Sequence, residues 1–125
     1  MMRRWIRLSL GVMLAAVSGS AWAHARLVKA TPADGALLSR APESLVLVFN
    51  EVPELEFSSI KITGPDSALL LEQTPLKGPN PNSLTVPLPS AELRVGRYAV
   101  NYRVLSVDGH LVEGGTSFSI APVPP

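Results

Sequence analysis

The chain contains no cysteine. Disulfides, thiolate zinc sites, iron–sulfur clusters and cysteine nucleophiles are thereby excluded. A dominant charge is also lacking, because 11 Lys and Arg stand against 10 Asp and Glu for a formal net charge of +1. That balance removes the electrostatic case for nucleic acid. Methionine is confined to Met1, Met2 and Met13, and tryptophan to Trp5 and Trp22. The rest of the chain therefore offers no soft sulfur ligand. Long apolar runs are missing too: Leu8 to Val17 falls well short of the roughly 20 residues a bilayer-spanning helix needs, and no second candidate follows. What is present is a 46% hydrophobic chain of 125 residues, enough for one domain with a core.

The first 23 residues read as a secretory signal peptide rather than as part of the fold. Arg3, Arg4 and Arg7 form a basic start, an apolar run follows, and Ala21-Trp22-Ala23 is an A-x-A cleavage signal. Arg3-Arg4 faintly resembles a twin-arginine signal, although ordinary secretion fits better. Cleavage after Ala23 predicts an exported, periplasmic protein that no longer spans a membrane. It also removes three arginines and makes His24 the first residue.

Beyond residue 23, Pro or Gly interrupts the apolar stretches roughly every eight to twelve residues, the rhythm of an antiparallel all-β domain. Leu45 to Phe49 is a continuous β-type run of the kind that two-sided burial gives. Tyr98, Val100, Tyr102 and Val104 alternate with Arg97, Ala99, Asn101 and Arg103, and Thr116, Phe118 and Ile120 alternate with smaller residues. With Leu27 to Ala30, Phe57 to Thr63, Leu69 to Glu72 and Ser83 to Leu88, about seven short strands are expected, as in a small immunoglobulin-like sandwich. Ala30 to Leu38 and Ser90 to Arg94 have room for one helical turn each, and Lys77 to Ser83 reads as a loop of low order. The domain is expected over residues 24–121, followed by a Pro-rich tail at 122–125. No internal repeat or second domain is visible.

Both histidines of the chain, His24 and His110, lie in this domain. A freed N-terminal His24 could bind one metal ion through its α-amine and its Nδ1. The α-amine, with an ordinary pKa of about 7.7–8.0, can lose its proton to a strongly Lewis-acidic ion. Asp108 and His110 stand two apart, which on an extended segment points both side chains the same way. If both histidines serve one ion, the first strand must lie beside the Asp108–His110 turn. The resulting set of two imidazoles, an amine and a carboxylate suits tetragonal Cu(II), although zinc could use the same donors. Glu51, at the end of the Leu45 run near Glu54 and Glu56, is a candidate weak ligand or a group that orients the amine. Arg26 and Arg103 could order a ligating carboxylate, and Tyr98 and Tyr102 read as core. No nucleophile–base pair, phosphate loop or carboxylate dyad is present, so the chain does not read as an enzyme.

His24-Ala25-Arg26-Leu27-Val28 after an A-x-A site, Thr31-Pro32-Ala33-Asp34-Gly35, Val48-Phe49-Asn50-Glu51, and Ser106-Val107-Asp108-Gly109-His110 with Gly114 and Phe118 together resemble the CopC family of periplasmic copper-resistance proteins. The resemblance spans residues 24–121. It implies a small Greek-key β-sandwich that binds Cu(II) through His24, Asp108 and His110, with Glu51 as a close partner. It also implies a CopD-type partner in the inner membrane. Some members carry a Met-rich segment with an added His for a separate Cu(I) site; Gly64 to Pro81 here has neither residue. The rival readings are a metal-free immunoglobulin-like module and an oxidative copper enzyme with a histidine-brace site.

Overall fold

A computed structural model describes residues 25–122. These residues form nine strands: β1 (Leu27–Thr31), β2 (Ala36–Leu38), β3 (Ser44–Phe49), β4 (Pro53–Thr63), β5 (Leu69–Gln73), β6 (Leu76–Lys77), β7 (Ser83–Pro87), β8 (Gly96–Ser106) and β9 (Leu111–Ile120). One sheet has the order β1-β3-β7-β6 and the other β2-β9-β8-β4-β5. The chain crosses between sheets after β1, β2, β3, β5 and β7, giving the Greek-key sandwich expected from the sequence.

Each sheet turns alternate side chains inward, as the pleat requires. Leu45, Leu47 and Phe49 of β3 and Leu84 and Val86 of β7 meet Ile60 and Ile62 of β4, Val100 and Val104 of β8, and Phe118 and Ile120 of β9. Tyr98 stacks on Phe118 with ring centroids 5.2 Å apart, and its hydroxyl donates to the Arg94 carbonyl at 2.8 Å. Tyr102 is half-buried and meets Phe49 edge-on at 5.5 Å. Both tyrosines are core residues, as expected.

Several details differ from the sequence reading. The seven expected strands are present, but β2 and β6 are added; at three and two residues they are too short to display a period. The segment after Gly35 is not a helical turn: Gly35 takes φ +79°, and Ala36–Leu38 then pair parallel to Phe118–Ile120. The Leu45–Phe49 run is fully buried only at alternate positions, because the outer face of β3 is half-covered at Val46 and Val48. The stretch before β7 is tied down rather than loose. Ser83 is 1% exposed, its hydroxyl donates to the Asn80 carbonyl at 2.8 Å, and its amide donates to that carbonyl at 3.0 Å.

Among the described residues, no helix is long and apolar enough to cross a membrane.

Candidate metal centre

Three connections meet at one end of the sandwich, and backbone pairing brings them there. Leu27 at the start of β1 pairs with Phe49 at the end of β3, and Pro53 at the start of β4 pairs with Ser106 at the end of β8. The entry to β1, the β3–β4 connection and the β8–β9 connection are thus gathered together. β1 itself does not pair with β8 or β9, since it belongs to the opposite sheet. The first strand therefore comes to the end that holds the Asp108–His110 turn from the opposite sheet, not as a paired neighbour of β8 or β9. The short β3–β4 connection links the two sheets at this end.

The entry segment is held closely. Arg26 N–H donates to Asn50 Oδ1 at 2.6 Å, and Asn50 N–H donates to the Arg26 carbonyl at 3.0 Å. Asn82 fixes the same strand end, because its Nδ2 donates to the Phe49 carbonyl at 2.6 Å while Phe49 N–H donates to the Asn82 carbonyl at 2.9 Å. Ala25 is buried at 2% exposure, which carries the chain into the end of the sandwich rather than away from it. His24 lies outside the described residues, as does the expected signal segment.

Asp108 and His110 are brought together, although not by strand alternation. Val107 and Asp108 lie in a turn, Gly109 takes φ +86°, and β9 begins only at Leu111. The positive φ suits glycine, which lets the backbone double back without a Cβ penalty. The outcome is contact between the two side chains: His110 Nδ1 lies 2.9 Å from Asp108 Oδ2. The other oxygen, Oδ1, accepts the Ser106 hydroxyl and the His110 N–H, the latter at 3.2 Å. These contacts hold the Asp108 carboxyl down at about 2, chiefly through the Ser106 hydroxyl and then through the His110 imidazole. The ionised form of the carboxylate, which is the form a metal ion needs, is thereby favoured.

Glu51, in the β3–β4 connection, is half-buried, and its Oε1 is buried with no hydrogen-bond partner. A buried carboxylate oxygen without a donor is costly and calls for a cation or a proton donor. Among the described residues, however, no three His, Asp or Glu side chains form a metal-holding group. Glu51 thus does not close with Asp108 and His110 into a three-residue site. Arg103 lies on the outer face, where it pairs with Glu113 at 3.4 Å and both side chains are exposed.

Sequence reasoning missed Asn50, Asn82 and Ser106 as residues that shape this end of the molecule. Ser106 carried a faint signal, since a hydroxyl two residues before an Asp at a strand end is suited to a local side-chain hydrogen bond. Asn82 carried none, as its partner is 33 positions away.

A family model of the CopC domain matches residues 27–121. The chain belongs to the CopC family. Protein YobA of Escherichia coli strain K12 is 36% identical over 119 residues, covering 94% of this chain and 95% of that one. Copper resistance protein C of Xanthomonas campestris pv. juglandis is 36% identical over 120 residues, covering 87% and 91%. The crystal structure of CopC from Methylosinus trichosporium OB3b superposes with a TM-score of 0.74 at 35% identity, covering 82% of this chain and 98% of that one. CopC-family proteins are copper-resistance proteins rather than enzymes, and copper is the ion the family handles.

Proposed function

We propose that this CopC-family chain is a periplasmic carrier or store of Cu(II), exported by residues 1–23 and processed so that residues 24–121 form the working domain ahead of a short tail at 122–125. The ion is its cargo. In this reading His24 supplies its α-amine and Nδ1, Asp108 and His110 supply one donor each, and Glu51 approaches the ion or the amine from the β3–β4 connection.

The observation that carries the reading is the 2.9 Å separation of His110 Nδ1 and Asp108 Oδ2. Two donors at right angles on a metal with bonds of about 2.0 Å stand about 2.8 Å apart, so this pair already has the spacing of one edge of a tetragonal site. Supporting features are the ionised Asp108 carboxylate, the unpartnered Glu51 oxygen and the locking of Arg26 to Asn50, all at the same end. Hard oxygen and imidazole donors, with no sulfur ligand after Met13, favour the oxidised ion over Cu(I). A CopD-type membrane partner fits a protein that carries rather than transforms its ion.

Electron paramagnetic resonance during Cu(II) titration tests the proposal on two forms, one beginning at His24 and one extended by a single N-terminal alanine. One tight tetragonal signal with nitrogen couplings, lost or altered by the added residue, is expected. Identical weak spectra from both forms would leave His24 as a cleavage remnant.

A further inference from the structure

Ser106 ends β8 and is 1% exposed. Its backbone closes the turn that follows: its carbonyl accepts Gly109 N–H at 3.0 Å, and its amide donates to the His110 carbonyl at 2.8 Å. The hydroxyl also reaches this backbone, and it sits at the centre of the side-chain contacts. It donates to Asp108 Oδ1 and accepts the His110 N–H at 3.3 Å, with the His110 carbonyl 3.1 Å away. With Oδ1 occupied by the Ser106 hydroxyl and the His110 N–H, Oδ2 is the oxygen that meets the imidazole.

We propose that Ser106 is a positioning residue for copper: its hydroxyl holds Asp108 and His110 at donor spacing before the ion arrives. The inference rests on reading those two residues as donors. A pair whose geometry is set in advance loses less conformational freedom when it binds, and removing such a supporting hydrogen bond typically costs about 10–100-fold in metal affinity. A hydroxyl that served only the turn would not act on the spectrum of the bound ion, because two main-chain bonds already close the turn beside it.

The test compares the His24-initiated chain with Ser106→Ala and Ser106→Thr, each checked for folding by circular dichroism. Cu(II) affinity is measured by competition with a chelator, the bound ion by electron paramagnetic resonance, and the copper-free His110 ring by nitrogen-15 resonance. The alanine variant is expected to bind about 10–100-fold more weakly, with a shifted copper spectrum and a His110 ring averaged among rotamers. Threonine, which keeps the hydroxyl, is expected to restore all three. An alanine variant with unchanged affinity, spectrum and ring resonances would overturn the inference. Should that variant not fold, the copper-free wild type decides: a single ordered His110 ring supports the positioning role and a freely averaging one refutes it. Failure of the donor assignment is distinguishable, because His110→Ala would then leave the Cu(II) spectrum unaltered while the copper-free ring resonances still report on Ser106.

Discussion

Arg26 and Asn50 are joined in both directions, the amide of each donating to the other residue, once through the Asn50 side chain at 2.6 Å and once through the Arg26 carbonyl at 3.0 Å. The consequence is that the start of β1 is fastened to the residue preceding Glu51. An N-terminal ligand can only serve a preformed site if its backbone is held, and this pair holds it one residue from Ala25.

Asn50→Ala removes the side-chain acceptor and leaves the Arg26 N–H to solvent. A loss of about 1 kcal/mol is expected, which in a domain of this size is roughly 4–8 °C in Tm. Faster amide hydrogen exchange at Arg26 and Leu27 is expected alongside it. Exchange rates equal to wild type would show that the side chain does not hold the entry segment.

The Asp108 carboxyl is lowered from 3.8 to about 2, first by the Ser106 hydroxyl and then by His110. A depressed value in the folded chain means that the ionised form is the favoured one. Its contribution to stability is present above pH 3.8 and fades as the pH falls through about 2. In the copper-free protein, a carbon-13 titration of the Asp108 carboxyl should show a midpoint near 2, and Asp108→Asn should flatten this part of the acid-unfolding curve. A midpoint at or above 3.8 would contradict the hydrogen-bonded geometry. Cu(II) binding is expected to weaken separately as the pH falls, because protons compete with the ion for its nitrogen donors.

Glu51 keeps a buried oxygen without a partner in the copper-free chain. Glu51→Gln replaces a charge by a neutral amide of the same shape, so the copper-free protein is expected to gain up to about 1 kcal/mol while its stabilisation by Cu(II) shrinks. Thermal melts with and without one equivalent of Cu(II) separate the two effects. Equal copper-induced shifts in both proteins would remove Glu51 from the neighbourhood of the ion.

Gly114 faces Tyr102 across the β8–β9 ladder, and a Cβ there would strike the phenol oxygen and ring. Gly114→Ala should push Tyr102 off Phe49, costing about 1–3 kcal/mol through overpacking. Denaturant unfolding measures the loss. Gly114→Ala with Tyr102→Ala should recover part of it, because the clash then has no partner. Additive losses would point to the backbone of β9 instead.

Much of the sandwich was legible because strand alternation is a local property. The Tyr98–Val104 and Thr116–Phe118–Ile120 patterns identify β8 and β9, and the inward residues they name are buried except Tyr102, which is half-buried. The first half of β9 was not legible, since Glu113, Gly114 and Gly115 carry no apolar period, and only pairing with Arg103, Tyr102 and Asn101 makes them a strand. At the candidate site the Asp108–His110 turn was visible, but the part that Ser106 plays in it was not. A turn through Gly109, with the Ser106 hydroxyl on Asp108, brings the two side chains together.

Composition and spacing by themselves determined the chemistry available, imidazole and carboxylate donors without cysteine, and an all-β class. These depend on residue identity and near-neighbour order, which a linear chain displays directly. Only the tertiary structure decided that the β1 entry, Glu51 and the Asp108–His110 turn share one end, and that β1 reaches it from the opposite sheet. Such placement comes from strand register and sheet stacking, in which partners tens of residues apart are chosen by the burial of their side chains.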